Sequence, residues 1–276
     1  RIDDASPRGM IALQLAPSSS GRKTAARRSL HVMGCHSSDG GSGMTKPRAR
    51  VYIDGYNFYY GVLKGTDLKW LDPVRLMDAL LPECRIDLVK DFTARIAANP
   101  WNADERMRQA AYLDALSALP RLSCTEGYYR ERIKQKSLIN PRDFGLSKRN
   151  TYPFPRVNVL DQEEKGSDVS LGAHLVLDGC RGEYDVAVLV SNDADLYEPV
   201  RIVRSELGLQ VRAVVPATSR TKKYRPVSVW QGRVDGSIVA SLNWSLLRES
   251  QLPDPVLGPT GPIAKPAAWH RSGRRS

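Results

Sequence analysis

The chain has 276 residues, 41% apolar and 26% charged, with a formal net charge of +11. That suits one globular domain of about 200 residues with tails, and no apolar run approaches the ~20 residues that a membrane span needs. Its four cysteines, Cys35, Cys84, Cys124 and Cys180, form no CxxC pair. Neither a zinc ribbon nor a disulfide framework is indicated, and a reducing cytoplasm is the expected compartment.

Residues 1–48 are rich in Ser, Gly and Arg, show no sustained period and read as a disordered tail. Arg27-Arg28 is not followed by the apolar segment of an export signal. His31, Cys35 and His36 lack a fourth metal ligand. Met44, just before the first strand, is the expected natural start. Much of the charge belongs to the ends: +6 in residues 1–50 and +4 in 265–276, against +1 for 51–264.

From residue 50 the pattern becomes regular. Strands are predicted at 50–54, 86–97, 122–130, 185–191 and 209–215, with a short or edge strand at 157–160. Helices are predicted at 73–81, 103–119, 169–180 and 199–207. The second has Tyr112, Ala115, Leu116 and Leu119 on one face; the last has Pro199 at its start and Gly208 past its end. The run DVAVLVS at 185–191 has the unbroken apolarity of a central parallel strand. Alternating strands and helices predict an α/β fold, an open and mostly parallel sheet flanked by helices on both faces. The Pro-rich arm that follows could pack back through Leu252, Val256, Ile263 and Trp269.

Residues 121–156 hold nine basic and three acidic residues, interleaved with Tyr128, Tyr129, Phe144, Tyr152 and Phe154. Lysines and arginines neutralise phosphates and rings stack on bases. Arg130, Arg132, Lys134, Lys136, Lys148 and Arg149 are therefore candidate nucleic-acid contacts; the alternative is a solvated surface loop.

The acids stand at informative places. VYIDGYN (51–57) runs a strand into Asp54, with Asn57 three residues on. EKGSDVSL puts Asp168 at the mouth of a helix, and SNDADL puts Asp193 and Asp195 after the most apolar strand. Singly, each acid could serve as a turn or cap residue. Together at the carboxyl edge of a parallel sheet, where α/β proteins place their sites, they would repel one another unless a cation sat among them. Mg²⁺ or Mn²⁺ suits such oxygen donors and phosphoryl chemistry.

These three motifs, in this order and spacing, resemble the NYN domain, a branch of the PIN-like metal-dependent ribonucleases, in its bacterial stand-alone form. The resemblance spans about 49–245, with a basic insertion near 130–156 and a Pro-rich arm with a basic tail at 246–276. It implies a Rossmann-like sheet and an acidic Mg²⁺ or Mn²⁺ pocket that cleaves RNA. Asp54 matches the first acid of the family, Asn57 its polar companion, Asp168 the middle acid, and Asp193 and Asp195 the final pair. Asn192 stands where many members have Gly, and Leu196 where many have Phe. The alternative function is an RNA-binding or regulatory module with weak or lost nuclease activity. Partners expected are RNA and no membrane; the sequence leaves a homo-oligomer open. A haloacid-dehalogenase phosphatase fails because Asp54-Gly55-Tyr56 lacks a second Asp. A DxD glycosyltransferase would leave VYIDGYN unexplained, and no GxGxxG follows the first strand.

Overall fold

The computed structural model describes residues 45–96, 103–138, 155–216, 229–238 and 244–270. Met44, Lys148, Arg149 and most of the 1–48 tail lie outside the described residues.

The apolar stretches form a seven-stranded sheet: β1 (Arg48–Asp54), β2 (Arg85–Ala94), β3 (Leu122–Ser137), β4 (Arg156–Lys165), β5 (Val186–Val190), β6 (Gln210–Val214) and β7 (Gly236–Ile238). Their order is β4-β3-β2-β1-β5-β6-β7. Every pairing is parallel except β3 with β4. The fold is thus α/β with a mostly parallel sheet. β5 lies inside it with Val186 2% exposed and Ala187, Val188, Leu189 and Val190 at 0%; each valine or leucine buried there stabilises the fold by about 1.5–3 kcal/mol.

Alternate residues feed two cores. Val51, Ile53, Val188 and Val190 pack beneath α1 (Gly55–Phe58), its π-helical continuation (Tyr59–Leu63) and α2 (Pro73–Leu80). Tyr52, Phe92, Ala187 and Leu189 pack beneath α4 (Ser167–Cys180) and α5 (Tyr197–Arg201). A third cluster joins Leu113 and Leu116 of α3 (Ala103–Ser117) to Trp70, Leu252, Val256 and Trp269. In it the arm, with the short strands β8 (Val256–Gly258) and β9 (Gly261–Ile263), packs beside α3.

Three boundaries depart from the sequence reading. β3 continues to Ser137 rather than ending at 130, and β4 begins at Arg156. The flanks of the basic insertion therefore form an antiparallel ribbon, because cations alternating along β3 meet Asp161 and Glu163 across the pair. The helix predicted at 199–207 starts at Tyr197 and passes into a π-helical turn at Ile202–Glu206. β7 and α6 (Trp244–Glu249) follow the strand read as the last clear one.

Candidate functional site

β1 and β5 end side by side, so the segments after them share the carboxyl edge of the sheet. Asp54 closes β1 and is only 6% exposed. Its Oδ1 accepts from the Asn57 backbone N–H at 2.9 Å, capping α1, and its Oδ2 accepts from the Ser191 hydroxyl at 2.9 Å. Asp54 is therefore a capping residue as well as an acid of this edge. Asn57 Oδ1 accepts from the Asn192 N–H at 3.2 Å, and Asn192 Oδ1 accepts from the Val229 N–H at 3.2 Å. These bonds stitch the segment after β1 to the segment after β5. Asp193 Oδ1 caps the next turn by accepting from the Asp195 N–H at 2.9 Å.

Gly55 lets the chain turn close to β2. A Cβ there would lie 3.0 Å from the Phe92 carbonyl oxygen and 3.1 Å from an Asp91 carboxylate oxygen. Gly127 does the same where the ribbon leaves the sheet: a Cβ would lie 2.6 Å from Glu164 Oε1. Glu164 in turn accepts from the Ser167 N–H at the start of α4, at 3.1 Å.

Electrostatics links the acids. Burial, with repulsion from Asp193 and Glu164, raises the Asp54 carboxyl, against the lowering effect of its two hydrogen bonds. Asp168 is half-buried at the mouth of α4 and accepts no hydrogen bond from a described residue. Burial first, then Asp54, Asp193, Glu164 and Asp195, push it up to about 6. Asp91 on β2, 9% exposed, is pushed up to about 7 by burial and by Asp54.

The predicted acids Asp54, Asp193 and Asp195 thus all bear on Asp168, Asp195 from an exposed position. Among the described residues, no group of three His, Cys, Asp or Glu is arranged to hold a metal ion. Mg²⁺ typically keeps several waters and takes only one or two carboxylates directly. Sequence reasoning missed Glu164, Ser191 and Asp91. The signal for Asp91 was a charged Lys-Asp pair inside an otherwise apolar strand, LVKDFT.

Of the RNA candidates, Arg130, Arg132, Lys134 and Lys136 alternate along β3 and share one face of the ribbon. Asp161 pairs with Lys134 and Lys136, and Glu163 with Arg132, Lys134 and Lys165. That holds Asp161 down at about 2. Five cations face two carboxylates, so this face keeps net positive charge.

No protein-family model matches the chain. It is 30% identical over 246 residues to the 6-hydroxy-3-succinoylpyridine 3-monooxygenase HspA of Pseudomonas putida (strain DSM 28022 / S16), covering 81% of this chain and 75% of that protein. The chain belongs to the family of that monooxygenase. The HspA relative is of a different enzyme class from the ribonuclease to which the motifs point. A solved structure of a protein of unknown function, VPA0982 from Vibrio parahaemolyticus RIMD 2210633, covers 71% of this chain and 95% of its own at a TM-score of 0.38 and 13% identity.

Proposed function

We propose that the chain is a PIN-like, NYN-type ribonuclease that hydrolyses RNA phosphodiester bonds with Mg²⁺ or Mn²⁺. One observation carries the reading: at the carboxyl edge of the sheet the buried Asp54 is tied through the Ser191 hydroxyl to the Asp193 backbone, and burial with the neighbouring carboxylates raises both Asp54 and Asp168. Groups that destabilise one another in this way call for a cation. Asp54, Asp168, Asp193 and Asp195 would hold it, one or two of them directly and the others through its bound waters. A bound divalent ion would supply positive charge for the phosphate and make a water more acidic. Asn57 and Ser191 fix the position of Asp54, leaving its remaining lone pairs for an outside partner. The ribbon cations would hold the RNA backbone by phosphate contacts.

The test is incubation with labelled single-stranded and structured RNAs, with Mn²⁺ or with EDTA. Cleavage that needs the metal and disappears in Asp168→Asn supports the proposal. Binding without cleavage would favour the regulatory alternative. The family relation favours a second reading, oxygenation of a small substituted pyridine. Consumption of O₂ with 6-hydroxy-3-succinoylpyridine and a reductant, without RNA cleavage, would select it.

A further inference from the structure

Beside the acidic edge lies a cavity of about 260 Å³ that the acids do not line, Asp91 excepted. It runs from Gly55 and β2, between α3 and the π-helical turn, to Trp269 of the arm. At that volume it falls just below the ~300 Å³ at which pockets for drug-sized ligands begin, so it suits one ring system rather than a length of chain.

Its lining is ordered by depth. Asp91 and Thr93, 9% and 7% exposed, are its most buried polar side chains. Asp91 accepts no hydrogen bond from a described residue. The walls are aromatic: Tyr56 stacks on Tyr60 with centroids 6.5 Å apart, and Trp269 packs on Tyr112 at 6.0 Å. Three cations line it, Lys64 exposed and Lys69 and Arg108 half-buried. Lys64 Nζ lies 4.4 Å from the Tyr60 centroid and Lys69 Nζ 6.0 Å from that of Trp269. Tyr60 itself is 59% exposed. Glu105 also lines the cavity, partly offsetting these charges.

We propose that this cavity receives a single nucleobase of the RNA, ring inward and phosphate outward. The order follows from charge and desolvation. A buried carboxyl repels an anion from the deep end but can bond to the Watson–Crick edge of a base. Tyrosine and tryptophan offer faces for stacking, and Lys64 and Lys69 attract a phosphate at the mouth. Gly55 and Asp91 line its deep end next to Asp54, so a base seated here would lie beside the acidic edge, with its phosphate at the opposite end. The inference rests on the ribonuclease reading for the identity of the ligand. Its test needs no catalysis and so fails or succeeds separately.

The experiment is calorimetric titration of the protein in EDTA with 5′-nucleoside monophosphates, ribose 5-phosphate and nicotinate. Nucleotides should bind at least about tenfold more tightly than ribose 5-phosphate, a difference of ~1.4 kcal/mol. Lys64→Ala combined with Lys69→Ala, both outside the cores, should weaken nucleotide binding by about tenfold or more. Asp91→Leu should erase preference among the four bases. If that variant does not fold, Asp91→Asn, nearly isosteric, should change the order of preference. Equal binding of nucleotide and ribose 5-phosphate would overturn the proposal. So would nucleotide binding indifferent to these substitutions, or binding of nicotinate alone, which would assign the cavity to a small aromatic acid. Nucleotide binding without RNA cleavage would leave the cavity assigned and remove only the ribonuclease reading.

Discussion

In the absence of metal, Asp168→Asn tests the electrostatic cost of this carboxylate. The side chain accepts no hydrogen bond from a described residue, so the substitution removes a charge and little else. Its carboxyl is raised from 3.8 to about 6. At neutral pH that corresponds to about 3 kcal/mol disfavouring the charged folded state. The group is half-buried, and screening reduces the usable figure to about 1 kcal/mol. A carboxyl with a raised folded-state value weakens the fold as pH rises from 3.8 towards 6, because the native state holds the proton longer than the unfolded one. Without metal, Asp168→Asn should therefore melt about 2–4 °C above the wild type at pH values beyond 6. The gain should shrink as pH falls through 6, since the wild-type carboxyl becomes neutral too. Thermal melts in EDTA across that range measure it. Added Mg²⁺ should stabilise the wild type more than the variant. A variant destabilised at every pH, or a gain that does not vary with pH, would refute carboxylate repulsion at this edge.

Asp54→Asn should abolish hydrolysis by several orders of magnitude. Its melting temperature should change little, because Asn still caps α1 and can bond Ser191; a folded variant with wild-type cleavage would remove Asp54 from the chemistry. Replacing Arg130, Arg132, Lys134 and Lys136 with Ala should weaken RNA binding for all sequences and lower the salt slope by up to about one per lost phosphate contact. Binding measured against salt concentration decides this, and an unchanged slope would mark the ribbon as a solvated face. Trp269→Ala, which empties an 8%-exposed site between Trp70 and Tyr112, should cost about 3–5 kcal/mol in denaturant unfolding. A loss well under that range would mean the arm is loosely held.

The sheet was legible because its strands are unbroken apolar runs and its connections carry helical periodicity. VAVLV at 186–190 has no other stable home than the middle of a parallel sheet. Of the ribbon, only the strands at its two ends, 122–130 and 157–160, were legible. Its alternation sets arginine and lysine against carboxylates thirty residues away, a pairing that local pattern cannot reveal. Of the site, the carboxylates at strand ends could be read, because topology alone brings those ends together. Their cohesion could not: it rests on Ser191 and Asn192 reaching back to Asp54 and Asn57. Asp91 escaped for a related reason. Within a strand, a charged residue looks like an exposed edge position until the neighbouring helix is seen to cover it.

The two borders of the sheet differ in how they resist further pairing. β7 has three described residues, Gly236–Ile238, of which only Ser237 carries a polar side chain. β4 is ten residues long, but it carries Asp161, Glu163, Glu164 and Lys165 along its length. A second chain approaching that border would have to match this charge order or leave ions unpaired. The same acids that restrain the ribbon cations thus also protect the molecule against strand-to-strand aggregation. Neutralising Asp161 and Glu163 to increase basic charge would expose a long, flat border beside the exposed Ile133 and Leu160. Solubility, rather than folding stability, is the property such a change would compromise first.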